Sequence, residues 1–195
     1  MDGLSNQHIG WKMQALKVAV IACLVALSIG TNYALAGVWN VKLMDFIVFI
    51  GGFCFGPLVG VLVAVISWAV YGTMNPLGFV LPIWLATMLT ETIYGMAGGL
   101  LRKGLGGNVR GEWWKASVFF GCVSALLTLA YDVVTNVVFG LTVGWNIVFA
   151  VIVGFVPFGL VHVVSNVFFF FFGSVPVISA IDDIFGGESS VNLKE

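Results

Sequence analysis

Charged residues are scarce in this sequence: they make up 9% of its 195 residues, whereas hydrophobic residues make up 60%. A soluble globular domain carries about 25% charged residues, so the composition argues against a soluble fold and indicates an integral membrane protein. Eight Lys and Arg against nine Asp and Glu give a net charge of −1, which leaves no basic surface for nucleic acid. The length allows about six spanning helices of about 20 residues each, in one domain.

Cysteine and the common motifs of metal binding and catalysis are equally sparse. Cys23, Cys54 and Cys122 lie isolated in apolar surroundings, which favours reduced packing residues over a zinc site or a disulfide. The chain has no Gly-x-x-x-x-Gly-Lys-Ser/Thr phosphate loop and no Gly-x-Ser-x-Gly nucleophile turn. We therefore expect no metal, no resident cofactor and no enzymatic activity.

Apolar runs separated by polar turns predict an all-α protein with six transmembrane helices. We place the helices at about 13–34, 43–55, 57–71, 79–101, 116–139 and 145–172, with polar tails at 1–12 and 179–195. The second helix is short for a full span, so it should be tilted or sunk against its neighbours. Pro157 predicts a bend in the sixth helix, and Gly56-Pro57 predicts a reversal between the second and third. Gly52, Gly56 and Gly60 would let a neighbouring backbone approach closely.

The cations predict an orientation. Six spans place both termini on one side, and all Lys and Arg except Lys42 fall on that side: Lys12, Lys17, Arg102, Lys103, Arg110, Lys115 and Lys194. The positive-inside rule then puts both termini in the cytoplasm. The loops at 35–42, 72–79 and 140–146 would face outward.

Ionisable side chains inside the predicted spans are the strongest functional signal, because a carboxylate at the bilayer centre costs about 3 kcal/mol. Asp45 opens the second helix, where it could simply reach interfacial water. Three later helices each carry a polar stripe at helical spacing. The stripes are Thr87, Glu91 and Tyr94; Ser124, Thr128, Asp132 and Asn136; and His162 and Asn166, with Ser165 beside them.

The stripes predict either a ligand pocket that opens outward or a structural network that joins the helices. In the pocket interpretation, the floor lies near Glu91, Asp132 and His162, and the outer loops close the mouth. Two carboxylates against one base leave negative charge, which a ligand with a cationic or hydrogen-bond-donor group would offset. The residues expected to bind the ligand are Trp39, Asn40, Asp45, Asn75, Glu91, Tyr94, Asp132, Asn136, Trp145, His162 and Asn166.

The first helix carries a stripe of small residues. Ala15, Ala19, Ala22 and Ala26 form two Ala-x-x-x-Ala steps on nearly one side. Such spacing lets another helix dock tightly. The docking helix could belong to a partner subunit or to the same bundle.

Together these features resemble the substrate-binding S-components of energy-coupling factor (ECF) vitamin transporters. The resemblance rests on the two Ala-x-x-x-Ala steps, on the Asp45–Pro57 block with its Phe-Gly-Pro-x-x-Gly turn, and on Tyr131-Asp132-x-x-Thr135-Asn136. It implies a six-helix subunit of a prokaryotic plasma membrane that binds a vitamin or vitamin precursor from outside. It also implies that the alanine face docks on a transmembrane scaffold (T) subunit. Two cytoplasmic ATPases would use ATP to topple the S-component.

The resemblance also suggests a ligand class. Thiamine-type members are similar in placing a Glu near a Tyr, with a Trp in the first outer loop. Glu91, Tyr94, Trp39 and His162 could take those parts, which favours a thiamine- or pyrimidine-like ligand. A cobalamin or deazapurine precursor stays open.

Two other function classes use the same residues. A proton-coupled carrier or channel could use Glu91 and His162. An intramembrane hydrolase could use Ser165, His162 and Asp132, which are suitable residue types for nucleophilic catalysis. The hydrolase is less favoured because Ser165 is only three residues from His162 on one helix.

Overall fold

The computed structural model describes residues 2–75, 78–105, 109 and 111–185, with side chains from residue 14 onward. Across these ranges the chain is helical, with no β-strand. The helices are α1 (Asp2–Ala34), α2 (Met44–Phe55), α3 (Pro57–Thr73), α4 (Leu81–Leu105), α5 (Trp113–Val143), α6 (Ile147–Gly154) and α7 (Leu160–Phe185). A π-helical turn, Phe155–Gly159, joins α6 to α7. Since α6 and α7 form one bent helix, the described residues contain the six helices that the sequence predicts.

Helix length and composition fit a membrane protein. Three of the described stretches are long and apolar enough to cross a membrane: Gln14–Ala34, Trp113–Val143 and Ile147–Phe185. α2 and α3 are apolar but shorter. Every residue of α2 is buried by the rest of the bundle, which agrees with the predicted sunk position of this short helix.

The two terminal helices extend further than the sequence predicts. α1 begins at Asp2, within the predicted polar tail. α7 continues to Phe185, so the prediction of a tail from residue 179 is wrong as far as 185. The extension of α7 is held in place because the Arg102 guanidinium donates to both carboxylate oxygens of Asp182, at 3.0 and 2.9 Å. A bidentate pair of this kind fixes geometry as well as adding energy.

The bend at Pro157 lies where the sequence predicts it. Proline has no N–H and cannot continue a helix, and the preceding Val156 has non-helical angles (φ −113°, ψ 115°). α6 starts on a side-chain cap, because the Phe149 N–H donates to Asn146 Oδ1 at 3.2 Å. The bend lets α6 lean against the last turns of α5, where Gly154 makes room for the Asn136 side chain.

Glycines set the crossing of α2, α3 and α4. A Cβ on Gly52 or on Gly60 would overlap the backbone of Gly95, and a Cβ on Gly95 would overlap the backbone of Gly60. Gly52 and Gly60 therefore permit the predicted close approach of a neighbouring backbone, whereas Gly56 has a different role. It has φ +102°, a conformation that favours glycine, and open space where a Cβ would lie. Gly56 is the hinge between α2 and α3.

Candidate functional site

A cavity of about 510 Å³ lies at the end of the bundle where α2 and α4 begin and α3 and α5 end. Its volume falls within the range of about 300–1,000 Å³ that is usual for small-molecule sites. Polar and apolar side chains share the wall. The lining residues are Asn40, Lys42, Ile83, Thr87, Tyr131, Asp132, Thr135, Asn136, Phe139, Trp145, Ala150, Val153, Gly154 and Phe158.

The loop between α1 and α2 is fastened across this end of the bundle. Asn40 adopts φ 53°, and its Nδ2 donates to the carbonyl oxygen of Phe158 at 2.9 Å. The Trp39 ring packs against the Phe158 ring with 5.7 Å between centroids. Because Asn40 and Phe158 both line the cavity, these contacts join two parts of its wall that are 118 residues apart in sequence.

Behind the cavity, a buried imidazole lies between two carboxylates from different helices. His162 Nε2 on α7 is 2.6 Å from Asp45 Oδ2 on α2. His162 Nδ1 is 2.8 Å from Asp132 Oδ1 on α5. The side chains of His162 and Asp45 are 0% and 1% exposed. A doubly protonated ring would satisfy both carboxylates by donating from each nitrogen. The two contacts join α2, α5 and α7 through one imidazole.

An amide and two hydroxyl groups extend the triad toward α4. Asn166 Nδ2 donates to Asp45 Oδ2 at 2.6 Å and to Thr128 Oγ1 at 2.9 Å. The Tyr94 hydroxyl donates to the same Thr128 oxygen at 3.0 Å. All four side chains are buried. The sequence suggested that Asp45 could reach interfacial water. It does not, because Asp45 is a buried hydrogen-bond acceptor at the centre of this network.

Glu91 is also buried, and its partner is an indole. Trp68 Nε1 donates to Glu91 Oε2 at 3.1 Å. Trp68 is positioned in turn by Trp84, whose Nε1 donates to the Trp68 carbonyl oxygen at 3.0 Å. Glu91 does not line the cavity, so its contact with a ligand stays a prediction.

Lys42 places a cation in the cavity wall. The sequence did not predict this residue as part of the site. Its Nζ lies 5.5 Å from the centroid of the Trp68 ring and 5.3 Å from that of Tyr131. Such positions over aromatic faces stabilise an ammonium. The available signal was that Lys42 is the one cation on the predicted outer side. Its positive charge partly offsets the negative charge of the nearby carboxylates Asp45 and Glu91.

Asp132 joins the network to the cavity. Its Oδ1 faces His162, whereas its Oδ2 is buried and has no hydrogen-bond partner among the described residues. Asp132 itself lines the cavity and is 6% exposed. The neighbouring Tyr131 hydroxyl is likewise buried without a partner in the described chain. Buried polar groups are normally paired, and among the described residues with such an unpartnered atom these two are the ones that also line the cavity.

The structure separates the predicted ligand-binding residues into three groups. Asn40, Asp132, Asn136 and Trp145 line the cavity, and Trp39 lies on its rim. A second group lies in the buried network: Asp45, Glu91, Tyr94, His162 and Asn166. Asn75, just after α3, is not among the lining residues. A cavity and a hydrogen-bonded network therefore lie side by side, and the binding of a ligand in the cavity stays a prediction.

The geometry does not assemble a hydrolase. Ser165 Oγ donates to the His162 carbonyl oxygen at 3.0 Å, within its own helix. Both nitrogens of the His162 ring are taken by carboxylates. A serine nucleophile needs a base within hydrogen-bond reach, and here the imidazole faces two aspartates.

The alanine stripe on α1 faces away from the bundle. Ala15, Ala19, Ala22 and Ala26 are all exposed, while Val25, Ser28 and Asn32 on the opposite side are buried. α1 packs through that opposite side against α2 and α3. Within the described chain, the small residues therefore do not serve internal packing.

Comparison with known proteins places the chain in a family. The family model described as "ECF transporter, substrate-specific component" matches residues 16–172. No curated protein and no solved structure matches the chain. The matched range covers most of the chain and includes the cavity and the buried network. The chain thus belongs to the family of substrate-specific components of ECF transporters, which are substrate-binding transporter subunits and not enzymes.

Proposed function

We propose that this subunit captures a vitamin or vitamin precursor in the 510 Å³ cavity at the outer end of the bundle. The observation that carries the proposal is the carboxylate of Asp132 in the cavity wall, whose buried Oδ2 has no hydrogen-bond partner among the described residues. A carboxylate oxygen without a donor is costly to bury, and a ligand N–H group would supply the donor. His162 contacts the other oxygen of Asp132, and Oδ2 itself is covered by the protein, so the carboxylate has to turn for a ligand N–H to reach it.

The cavity wall favours a ligand with two kinds of polar group on a flat apolar body. Asp132 and Tyr131 line the wall, and Lys42, whose Nζ lies 5.3 Å from the centroid of the Tyr131 ring, can meet an acceptor or anionic group. Phe139, Trp145 and Phe158 supply aromatic surface to the same wall. A thiamine- or pyrimidine-like molecule combines a planar ring with amino donors, and it is the ligand class we propose.

The proposed assembly follows from the family and the exposed alanines. ECF substrate-specific components associate with a T subunit and ATPases, and the exposed Ala15–Ala26 face is the surface we assign to the T subunit. The described cations Lys17, Arg102, Lys103 and Lys115 occupy the end opposite the cavity. This distribution supports a cytoplasmic location for that end in a prokaryotic plasma membrane, with the cavity facing outward.

Asp132→Asn is expected to weaken ligand binding at least about tenfold, because it removes a charged acceptor. Purified protein is first screened for thermal stabilisation by a panel of vitamins and their precursors. The dissociation constant of the best compound is then compared between wild type and variant by calorimetry. Glu112→Gln is the matched control, since Glu112 is an exposed carboxylate paired with Lys115. Unchanged affinity in a folded Asp132→Asn protein would exclude Asp132 from the site.

A further inference from the structure

A second pocket lies at the opposite end of the bundle, beside the hinge between α2 and α3. Its volume is about 210 Å³. Three cations from two helices lie in its wall: Lys17 from α1, and Arg102 and Lys103 from α4. None of the described carboxylates lines it. The remaining lining residues are Gly52, Phe53, Phe55, Gly56, Pro57, Leu58, Val59 and Gly99.

The three cations are not equivalent. Arg102 is engaged by Asp182 in a bidentate pair, and its guanidinium lies 5.3 Å from the centroid of the Phe53 ring. Lys17 and Lys103 have no ion-pair partner in the described part of the chain. Arg102 is therefore held in place with its charge neutralised by Asp182. The charges of the two lysines are not neutralised by any described residue. Lys17 is half-buried, and its charge is less screened by water than that of a fully exposed lysine.

The positive charge suits an anionic ligand, and the apolar residues of the wall indicate which kind. Leu58 is 69% exposed beside the pocket, at the end of the bundle that carries the excess of Lys and Arg. An outward-facing leucine next to lysines is suited to the boundary between lipid chains and headgroups. Basic pockets between membrane helices on the cytoplasmic side bind anionic lipid headgroups.

We infer that this pocket, here called the hinge pocket, binds a phosphate group through Lys17 and Lys103, with the phosphate carried by an anionic phospholipid. The inference is independent of the transported ligand, because the hinge pocket and the 510 Å³ cavity share no residue. A lipid held there would contact α1, α3 and α4 together with the hinge. Its binding would stabilise the crossing that Gly52, Gly60 and Gly95 make.

The test compares lipids and variants on the full-length protein in detergent micelles. Thermal unfolding and native mass spectrometry are recorded with added phosphatidylglycerol, with phosphatidylcholine and with inorganic phosphate. Phosphatidylglycerol is expected to raise the melting temperature and to remain bound, whereas phosphatidylcholine is not. In the double variant Lys17→Gln/Lys103→Gln, phosphatidylglycerol binding is expected to fall by about tenfold or more.

Lys115→Gln is the matched control, because Lys115 lies at the same end but pairs with Glu112 at 2.8 Å outside the pocket. This variant should retain the phosphatidylglycerol effect. Stabilisation by inorganic phosphate alone, lost in the double variant, would support the phosphate site and identify a soluble source. Equal phosphatidylglycerol binding by wild type and double variant, or no binding by either, would overturn the inference while leaving the proposed uptake function intact.

Discussion

His162→Leu is expected to lower the free energy of unfolding by about 3–5 kcal/mol, the usual cost of removing one partner from a buried ion pair. The variant would leave Asp45 and Asp132 facing each other at a site where both are buried. Each of these carboxylates now has an imidazole nitrogen within 2.8 Å. Without the ring, two negative groups would remain in a low-dielectric interior with little compensation.

Unfolding of wild type and variant can be compared in dodecyl maltoside micelles with added SDS, followed by tryptophan fluorescence. Ser165→Ala is the matched control on the same helix, because among the described residues its hydroxyl bonds to the helix backbone alone. It should change stability by less than about 0.5 kcal/mol. The His162→Leu loss should shrink in an Asp45→Asn/Asp132→Asn background, where the charges are gone. If His162→Leu lowered the free energy of unfolding of the otherwise wild-type protein by less than about 1 kcal/mol, the triad would not be a buried ion pair that stabilises the bundle.

Ala19→Trp is expected to reduce transport by about tenfold or more while leaving ligand affinity unchanged, because a bulky ring prevents close helix docking. Ala19 is exposed on α1, and no residue of the alanine face lines the cavity. The measurement pairs uptake in cells that co-produce the T subunit and ATPases with ligand binding by the isolated subunit. Co-purification of the T subunit should fall together with uptake.

Val164→Trp is the control for this experiment. Val164 is 67% exposed on α7, so it adds the same ring to a different lipid-facing surface. Uptake and co-purification should both survive this change. If Ala19→Trp also abolished ligand binding, the alanine face would have to support the cavity rather than the partner.

Helix positions could be predicted from the sequence because apolar run length and proline position are local signals. The hinge at Gly56-Pro57 and the bend at Pro157 are cases where one residue type dictates the backbone. The end of α7 could not be predicted in this way. The composition of residues 179–185 predicts a polar tail. These residues are instead helical, and the helix is held by the pair between Asp182 and Arg102, which is 80 residues away.

The site was only partly predictable for a related reason. Spacing showed that Asp132, His162 and Asn166 face the bundle, and the structure confirms that they do. Spacing could not show that Asp45 completes the triad, since that contact spans 117 residues. Lys42 was missed because a loop lysine normally extends into water, and only the folded chain places the rings of Trp68 and Tyr131 beneath it.

Blocking the 510 Å³ cavity tests most directly whether it holds the transported ligand. Thr135 lines the cavity and Thr142 does not, yet both lie on α5 and donate to the carbonyl oxygen four residues earlier. Native mass spectrometry should detect a small molecule retained by wild type and by Thr142→Trp but not by Thr135→Trp. Equal retention by both tryptophan variants would contradict the assignment of the cavity as the ligand site.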